Sequence, residues 1–233
     1  MTRPADLRAV YTAAHDELAV RVLDALPGGT SVLADFVGSA ADPKAALAAL
    51  RVAGADALAP QAFGARLDPD DAEAAAQALN LFGLAAGGQS ATVAWRDWGF
   101  ARLLADHAGT APPPLPAAHV VLADPGAWQP WCQAAAQLAP LSLPGLDGPV
   151  RDAVRGRPLA LARGTTRALL RRDYPTAARL LRWLAALHGE RVRLPVKPAP
   201  ILDHLALHAG GGGRLALDLA VTRRMLDPAA SPV

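Results

Sequence analysis

The chain has 233 residues, of which 52% are hydrophobic and 19% charged, so it is long enough for one large or two small domains with a sizeable core. Its single cysteine, Cys132, excludes intramolecular disulfides and fits a reducing compartment. Charges scattered through the N-terminus exclude a secretory signal, and two uncharged runs, Ala74–Trp95 and Pro125–Leu146, contain too many polar residues, glycines or prolines for a membrane span. We therefore expect a soluble, cytoplasmic protein without membrane contact.

The net charge of +2 conceals a strong asymmetry along the chain. Residues 1–150 carry 8 basic and 15 acidic side chains, a net charge of −7, whereas residues 151–233 carry 15 basic and 6 acidic side chains, a net charge of +9. A basic half is typical of a protein that binds polyanions and uses its other half for a second role such as dimerisation. The alternative is that the two halves attract each other and their charges cancel at an internal interface.

Residues 1–108 are predicted to form an acidic helical domain. Asp68 before Pro69 supplies a helix cap and a first-turn proline, and we prefer this structural role for the surrounding acidic residues to a metal site. A short strand is expected at Ala91–Trp95. Apolar periodicity between prolines and glycines predicts helices at Ala5–Leu26, Ser31–Val37, Pro43–Val52, Pro69–Leu81 and Trp95–His107.

The segment Ser31–Leu58 (SVLADFVGSAADPKAALAALRVAGADAL) resembles helix-turn-helix regulators. The resemblance implies a winged helix, with Ala59–Pro69 as its wing. Its second helix would expose only Lys44 and Arg51, and such a face is too poor in positive charge to bind DNA well. We therefore assign this region to dimerisation or protein contact, with alanine-rich helix packing of no particular family as the alternative.

Residues 109–150 are predicted to form a proline-rich linker and a middle segment, broken at Gly109–Ala118 and Pro140–Pro149, with a strand at His119–Ala123. Cys132 has neither an electropositive setting nor a visible base, which favours a buried structural thiol. Each of the pairs Trp95/Trp98 and Trp128/Trp131 has a spacing of three, which places both rings on one helical face. This favours core packing over stacking on bases.

Residues 151–226 are predicted to form a basic helical or winged-helix domain, followed by a tail at 227–233. Thr165 or Thr166 is expected to cap a helix that runs through Arg172, and Asp173 to cap a second helix over Tyr174–Gly189. Arg191–Val196 is expected to be a strand that leads into a basic loop. The second helix is predicted to bury a stripe consisting of Ala177, Leu180, Leu181, Leu184 and Leu187, and to leave Thr176, Arg179, Arg182 and Trp183 largely outside it.

The segment Tyr174–Leu184 (YPTAARLLRWL) resembles the third-helix pattern Tyr-x-x-Ala-Ala-Arg-Leu-aliphatic-x-x-Leu of the DNA-reading gamma domain of bacterial chromosome translocases and of related winged helices. The resemblance implies a helix that enters the major groove of duplex DNA and a basic wing that contacts phosphates. Thr176, Arg179 and Arg182 would face base edges. The turn between the two helices is shorter than in that family, so a plain helical hairpin with solvated arginines is the alternative. The predicted contact surface comprises Arg171, Arg172, Thr176, Arg179, Arg182, Arg191, Arg193 and Lys197.

Two further patterns precede the last predicted helix in the chain. His204 and His208 are spaced four residues apart beside Asp203, as a metal site on a helix needs, but no third ligand follows at a recognisable interval. The glycines at 210–213 begin a helix without the lysine of a Walker motif, which favours a connector over a phosphate site. Arg223 and Arg224 would extend the basic surface.

These patterns predict a mainly α protein with short β elements, in the specific form of tandem winged-helix domains. The function we expect is DNA binding by a homodimer, with double-stranded DNA favoured and no cofactor. The first alternative is a helical protein-interaction or scaffold module. The second is a metal- or phosphate-dependent enzyme that uses Asp203, His204, His208 and the glycine run.

Overall fold

The computed structural model describes residues 4–29, 32–82, 90–117, 119–120, 122–123, 127–208, 210 and 212–227. It forms two compact units, residues 1–116 and 117–233. The boundary therefore falls inside the proline-rich segment that begins at Gly109. The described part of the predicted middle segment beyond residue 117 belongs to the second unit and not to a separate linker. The predicted tail lies outside the described residues, apart from Asp227.

The first unit is helical in its described residues, as the sequence predicts. Asp42 caps its third helix by accepting hydrogen bonds from the amides of Lys44 and Ala45, and Pro43 occupies the first turn. Gly54 ends that helix with a φ of 63°, which only glycine adopts readily. The helices are α1 (Pro4–Ala25), α2 (Leu33–Ser39), α3 (Pro43–Ala53), a 3₁₀ helix (Gly54–Leu58), α4 (Ala59–Ala62), α5 (Pro69–Phe82) and α6 (Ala91–Ala108).

The expected strand at Ala91–Trp95 is wrong, because these residues form the first turns of α6. The Oγ atom of Ser90 accepts a hydrogen bond from the amide of Val93 at 3.4 Å, so a serine cap begins the helix here. Trp95 and Trp98 are both buried and meet edge to face, with ring centroids 5.6 Å apart. The core interpretation of this tryptophan pair is confirmed.

A buried carboxylate holds α2 against α5. The carboxylate of Asp71 accepts hydrogen bonds from the backbone amides of Val32, Leu33 and Ala34 at 2.8–2.9 Å. These amides begin α2, where the helix itself offers them no acceptor. Asp71 lies in the first turn of α5, but its side chain caps a different helix, which the acidic run by itself did not reveal.

Arg51, which was expected on the exposed face of the second helix in Ser31–Leu58, is turned inward. Arg51 of α3 forms an ion pair with Asp97 of α6 at 2.6 Å, with 17% and 4% of the two side chains exposed. Lys44 remains exposed. This face is therefore even poorer in positive charge than the sequence indicates, which agrees with a role other than DNA contact.

The second unit is also helical, and no strand occurs in its described residues. Arg191–Val196 is irregular, and the described residues of His119–Ala123 form no strand; Val121 lies outside the described part. The short β elements of a wing are thus not observed. The helices are α7 (Trp128–Gln137), a 3₁₀ helix (Ala139–Ser142), α8 (Pro149–Arg155), α9 (Pro158–Leu170), α10 (Tyr174–Gly189), α11 (Pro198–His208) and α12 (Gly213–Leu226).

The predicted limits of α10 are confirmed, whereas those of α9 are wrong. The carboxylate of Asp173 accepts a hydrogen bond from the amide of Thr176 and caps α10. α9 begins at Pro158, so Thr165 lies in its interior and not at its N-terminus. The buried hydroxyl of Thr165 donates to the carbonyl of Leu161 at 2.9 Å, which satisfies it inside the helix.

α10 is the central helix of the second unit. It contacts α7, α9, α11, α12 and the 3₁₀ helix at 139–142, and between residues 177 and 187 only Arg179 is not buried. The predicted apolar stripe is buried as expected. The other side chains between residues 177 and 187 are buried as well, apart from Arg179, because neighbouring helices surround this part of α10. Within the described residues, neither unit has a helix long and apolar enough to cross a membrane.

Candidate nucleic-acid interface

The eight predicted contact residues divide into three groups by exposure. Thr176 and Arg179 are partly exposed, and Arg182 is buried. The exposed group consists of Arg171, Arg172, Arg191, Arg193 and Lys197. Within the described residues, no carboxylate forms a salt bridge with any member of the exposed group. Five of the eight predicted residues are thus available to a ligand.

The expectation that Arg182 and Trp183 lie outside the buried face of α10 is wrong. Both side chains are 0% exposed, and the indole of Trp183 donates to the carbonyl of Ala135 at 2.8 Å. Arg182 donates through Nη1 to Oδ1 of Asp218 at 2.7 Å and through Nε to Oγ of Ser142 at 3.3 Å. A guanidinium group enclosed in this way is structural, because its donors are directed at protein acceptors and water cannot reach it.

Two arginines besides Arg182 also lie close to the carboxylate of Asp218. This residue is 1% exposed and lies on α12. Arg214 approaches it at 3.3 Å and Arg179 at 3.7 Å, the latter with 35% of its side chain exposed. Arg179 is therefore drawn towards a carboxylate inside the second unit, which weakens its predicted role at base edges. One aspartate within the apolar run Leu215–Val221 of α12 is the signal in the sequence from which this cluster could have been found.

The exposed face of α9 carries a row of arginines. Arg163, Arg167 and Arg171 follow one another at intervals of four residues, which places them on one side of the helix axis. All three are exposed, and none forms an ion pair with another described residue. We call these three residues the arginine ridge. Only Arg171 belongs to the predicted contact surface, although the spacing of the other two in "RGTTRALLRR" was a sufficient signal.

A groove of about 650 Å³ runs beside the ridge. Residues of α7, of α9 and of the chain between α10 and α11 form its walls, and none of the described lining residues is acidic. We call it the α9 groove. Apart from the three ridge arginines, its lining comprises Trp128, Leu159, Ala162, Thr166, Leu170, Pro195 and Val196.

The α9 groove brings part of the predicted basic loop next to the ridge. Pro195 and Val196 line the groove, and the exposed residues Arg193 and Lys197 flank them in the chain. The structure thus places the loop and the α9 arginines on the same side of the second unit. The exposed cationic side chains of this region therefore lie on α9, directly after it, and in the loop after α10, and not along the buried part of α10.

Two exposed arginines adopt a backbone conformation that favours glycine. Arg172 follows α9 with a φ of 57°, and Arg191 follows α10 with a φ of 61°. At these helix ends, the amide of Asp173 donates a hydrogen bond to the carbonyl of Ala168, and the amide of Val192 donates one to the carbonyl of Leu187. These bonds terminate α9 and α10. A side chain in this region costs on the order of 1 kcal/mol relative to glycine. Both arginines therefore have a strained backbone conformation just beyond the C-terminal ends of α9 and α10.

A second groove, of about 370 Å³, lies on the other side of the ridge. Trp128, Arg167 and Arg171 line both grooves, and Thr176 lines the second one only. Asp173 is the one acidic residue among its described lining. Trp131 is buried, as expected of a core residue, whereas Trp128 is only partly buried and lines both grooves. The core interpretation is therefore wrong for Trp128.

Cys132 is buried between α7 and α9, which agrees with a structural thiol. Burial raises the pKa of this thiol to about 11, and the nearby charge of Arg157 lowers it only in part. The thiol lies 3.2 Å from the carbonyl oxygen of Ala160 and can donate to it. The protonated form is thus favoured, and a thiolate nucleophile is not available at neutral pH.

The predicted histidine pair forms a stack and not a ligand set. The rings of His204 and His208 lie 4.3 Å apart at 24°, and Nδ1 of His208 is 2.9 Å from the carbonyl oxygen of His204. In the described part of the chain, no group of three histidine, cysteine or acidic residues could hold a metal ion. The glycine run at 210–213 is described only in part, since Gly211 lies outside the described residues.

No protein-family model matches the sequence, and no curated protein or solved structure matches it. The resemblance of Tyr174–Leu184 to the gamma domain of translocases therefore stays a prediction from the sequence. Any functional conclusion depends on the chemistry of the arginine ridge and its two grooves.

Proposed function

We propose that the second unit binds DNA through the arginine ridge and the neighbouring basic loop. The observation that carries the proposal is the grouping of Arg163, Arg167 and Arg171 along one groove, without an acidic partner among the described residues. Arginine is the side chain best suited to phosphate, because its planar guanidinium group donates two parallel hydrogen bonds to one anion. Exposed guanidinium groups in a row offer these donors to successive phosphates of one strand.

The ridge supplies affinity, and the loop adds to it. Contacts between cationic side chains and phosphates release counterions, so each contact strengthens binding and makes it more sensitive to salt. Arg172, Arg193 and Lys197 lie next to the ridge in the chain or flank the groove lining, and all three are exposed. Two of the predicted base-reading residues, Arg179 and Arg182, contact Asp218 instead. The proposal therefore rests on phosphate contacts and not on sequence-specific recognition.

The test is a titration of the full chain against labelled random-sequence DNA, both double- and single-stranded, over a series of salt concentrations. The variant Arg163→Gln/Arg167→Gln/Arg171→Gln removes the ridge. We expect its affinity to fall at least about tenfold at low salt. The slope of log K against log salt should decrease by roughly 2 to 3, because about 0.7 to 0.9 is lost for each phosphate contact.

A matched control separates the ridge from net charge. The variant Lys44→Gln/Arg66→Gln/Arg102→Gln removes the same number of positive charges from the first unit, two at exposed positions and one at the partly exposed Arg102, which pairs with Asp106. Under the proposal this variant binds DNA nearly as well as the unmodified protein. An equal loss of affinity in the control and the ridge variant, or an unchanged slope in the ridge variant, would overturn the proposal. The predicted homodimer is tested in parallel by analytical ultracentrifugation of the free protein.

A further inference from the structure

The α9 groove has an apolar surface that phosphate contact does not explain. Leu170 is 82% exposed and Leu159 is 51% exposed, and both face the groove together with Pro195 and Val196. Exposed apolar patches next to charged groups mark binding surfaces for ligands that carry both kinds of chemistry. A ligand that fits this surface has anionic groups for the ridge and flat or apolar groups for the groove.

An unpaired DNA strand meets this description better than a duplex does. In a duplex the base faces are stacked on one another, and the groups that reach a protein surface first are sugars and phosphates. In a single strand the base faces are free to stack on aromatic, aliphatic and guanidinium surfaces, while the backbone follows a row of positive charges. The expectation of duplex binding depended on α10 in the major groove, and residues 177–187 of α10 are buried apart from Arg179.

Trp128 provides an aromatic surface at the junction of the two grooves. Its ring is partly exposed, and Arg167 lies over one face with its Cζ atom 6.0 Å from the ring centroid. Bases stack on aromatic rings, and arginine adds cation–π contacts to such stacks. We propose that the α9 groove holds unpaired bases of single-stranded DNA against Trp128 and Leu170 while the ridge contacts the phosphates of the same strand.

The dimensions of the ridge agree with a short stretch of strand. At a rise of about 1.5 Å per residue, arginines four residues apart are separated by about 6 Å along the axis, so the ridge is about 12 Å long. Three guanidinium groups over this length suit a few consecutive nucleotides. This inference rests on the proposed function, since the same three arginines contact the phosphates in both.

The experiment compares the binding of oligothymidylate with that of a blunt duplex, each about 20 units long, which exceeds the site size of most single-strand binding folds. We expect the full chain to bind the single strand at least about tenfold more tightly. Leu170→Ala should weaken single-strand binding several-fold and leave duplex binding unchanged, because only unpaired bases reach the groove. Leu207→Ala is the matched control, since Leu207 is also 82% exposed but lies on α11, outside the groove lining.

A spectroscopic measurement identifies the stacking residue independently of affinity. The chain has five tryptophans, so the emission of Trp128 is obtained as the difference between the unmodified protein and Trp128→Phe. Stacking on thymine should quench this difference signal when the single strand is added, and the duplex should leave it unchanged. Trp128→Ala should lose about tenfold in single-strand affinity, as expected for removal of one stacked base.

Each outcome distinguishes the two proposals. Duplex binding that equals or exceeds single-strand binding, with Leu170→Ala indistinguishable from Leu207→Ala, overturns this inference and leaves the proposed function in place. The absence of any binding to either DNA overturns both. If a designed amphipathic helix with glutamates on its polar face occupies the groove and displaces no bound oligonucleotide, the strand does not use the groove, and this inference is overturned while the proposed function stays in place.

Discussion

Nη1 of Arg182 donates a hydrogen bond to Oδ1 of Asp218 at 2.7 Å, with both side chains shielded from water. The two residues join α10 to α12, the pair of helices in closest contact in the second unit. A buried charge is tolerated when its partner is present and costs several kcal/mol when the partner is removed. This pair is therefore part of the core and cannot serve as a contact for a ligand.

Arg182→Ala should destabilise the second unit by about 1.5–3 kcal/mol, because the buried carboxylate of Asp218 loses its closest partner while Arg214 remains 3.3 Å away. The free energy of unfolding in urea, followed by tryptophan fluorescence, measures the change. Arg223→Ala removes an exposed arginine from α12 and is the control, with an expected change within about 0.5 kcal/mol. A loss below about 1 kcal/mol for Arg182→Ala would mean that the pair is not enclosed as described.

Gly164→Ala should destabilise the protein by about 1–3 kcal/mol, since it forces a methyl group into a tightly packed site. A Cβ atom at this position of α9 would lie 2.5 Å from Sγ of Cys132 and 3.0 Å from Cδ1 of Leu180. Thermal unfolding measures the effect. Cys132→Ala in the same chain removes the closest contact, so the double variant should recover part of the loss. Additive losses in the two single variants would contradict this contact.

The stability of the second unit should decrease in acid because of Glu190. Its partial burial alone would raise its pKa, but hydrogen bonds from Arg155 and Arg151, at 2.8 and 2.5 Å, outweigh that effect and lower the pKa. The stabilisation is therefore fully present above the ordinary glutamate pKa of about 4.3 and is lost as pH falls through the lowered pKa of the folded state.

Glu190→Gln tests this pH dependence. The variant should be less stable than the unmodified protein by about 1 kcal/mol at neutral pH, and the difference should shrink below about pH 4. Calorimetric melting temperatures at several pH values measure it. Glu17→Gln, which removes an exposed helical pair with Arg21, should change stability by less than about 0.5 kcal/mol. A difference between the Glu190 variant and the unmodified protein that does not depend on pH would rule out this role for the carboxylate.

Arg172→Gly and Arg191→Gly should each stabilise the protein, by about 0.5–1 kcal/mol, because glycine adopts their positive φ without strain. Arg171→Gly is the control. Arg171 has a φ of −91°, so glycine relieves no strain at this position and should not stabilise the protein. If the basic surface binds DNA as proposed, Arg172→Gly should be more stable and yet bind DNA less tightly. Unchanged or reduced stability in both glycine variants would show that the positions are not strained.

Five of the α-helices, α1, α2, α3, α5 and α10, could be predicted from the sequence within two residues at each end, because the signals that begin and end them are local. Asp173 and Tyr174–Gly189 are an example: the cap, the first-turn proline and the final glycine all lie within the helix or next to it. Errors occurred where the local signal was ambiguous. Ala91–Trp95 has the residues of a strand, but Ser90 caps it as a helix, and Thr165 resembles a cap but lies within α9.

The candidate site could be predicted only in part. The basic character of residues 151–233 and the exposure of Arg171, Arg193 and Lys197 follow from composition and spacing. The importance of Arg163, Arg167 and Trp128 does not, because it depends on a groove whose walls come from α7, α9 and the chain after α10. The pattern of charges in the sequence locates a basic region. Predicting a binding surface within it also requires knowledge of which helices contact one another.

By itself, the sequence determined that this protein is mainly helical, where several of its helices begin and end, and that its positive charge is concentrated in the second half. These properties depend on caps, prolines, glycines and apolar periodicity, which act over a few residues. The tertiary structure alone decided which of the arginines expected at the surface is buried. Arg182 is buried because Asp218, 36 residues further along the chain, lies against it, and a carboxylate that distant in sequence leaves no trace in the local pattern around Arg182.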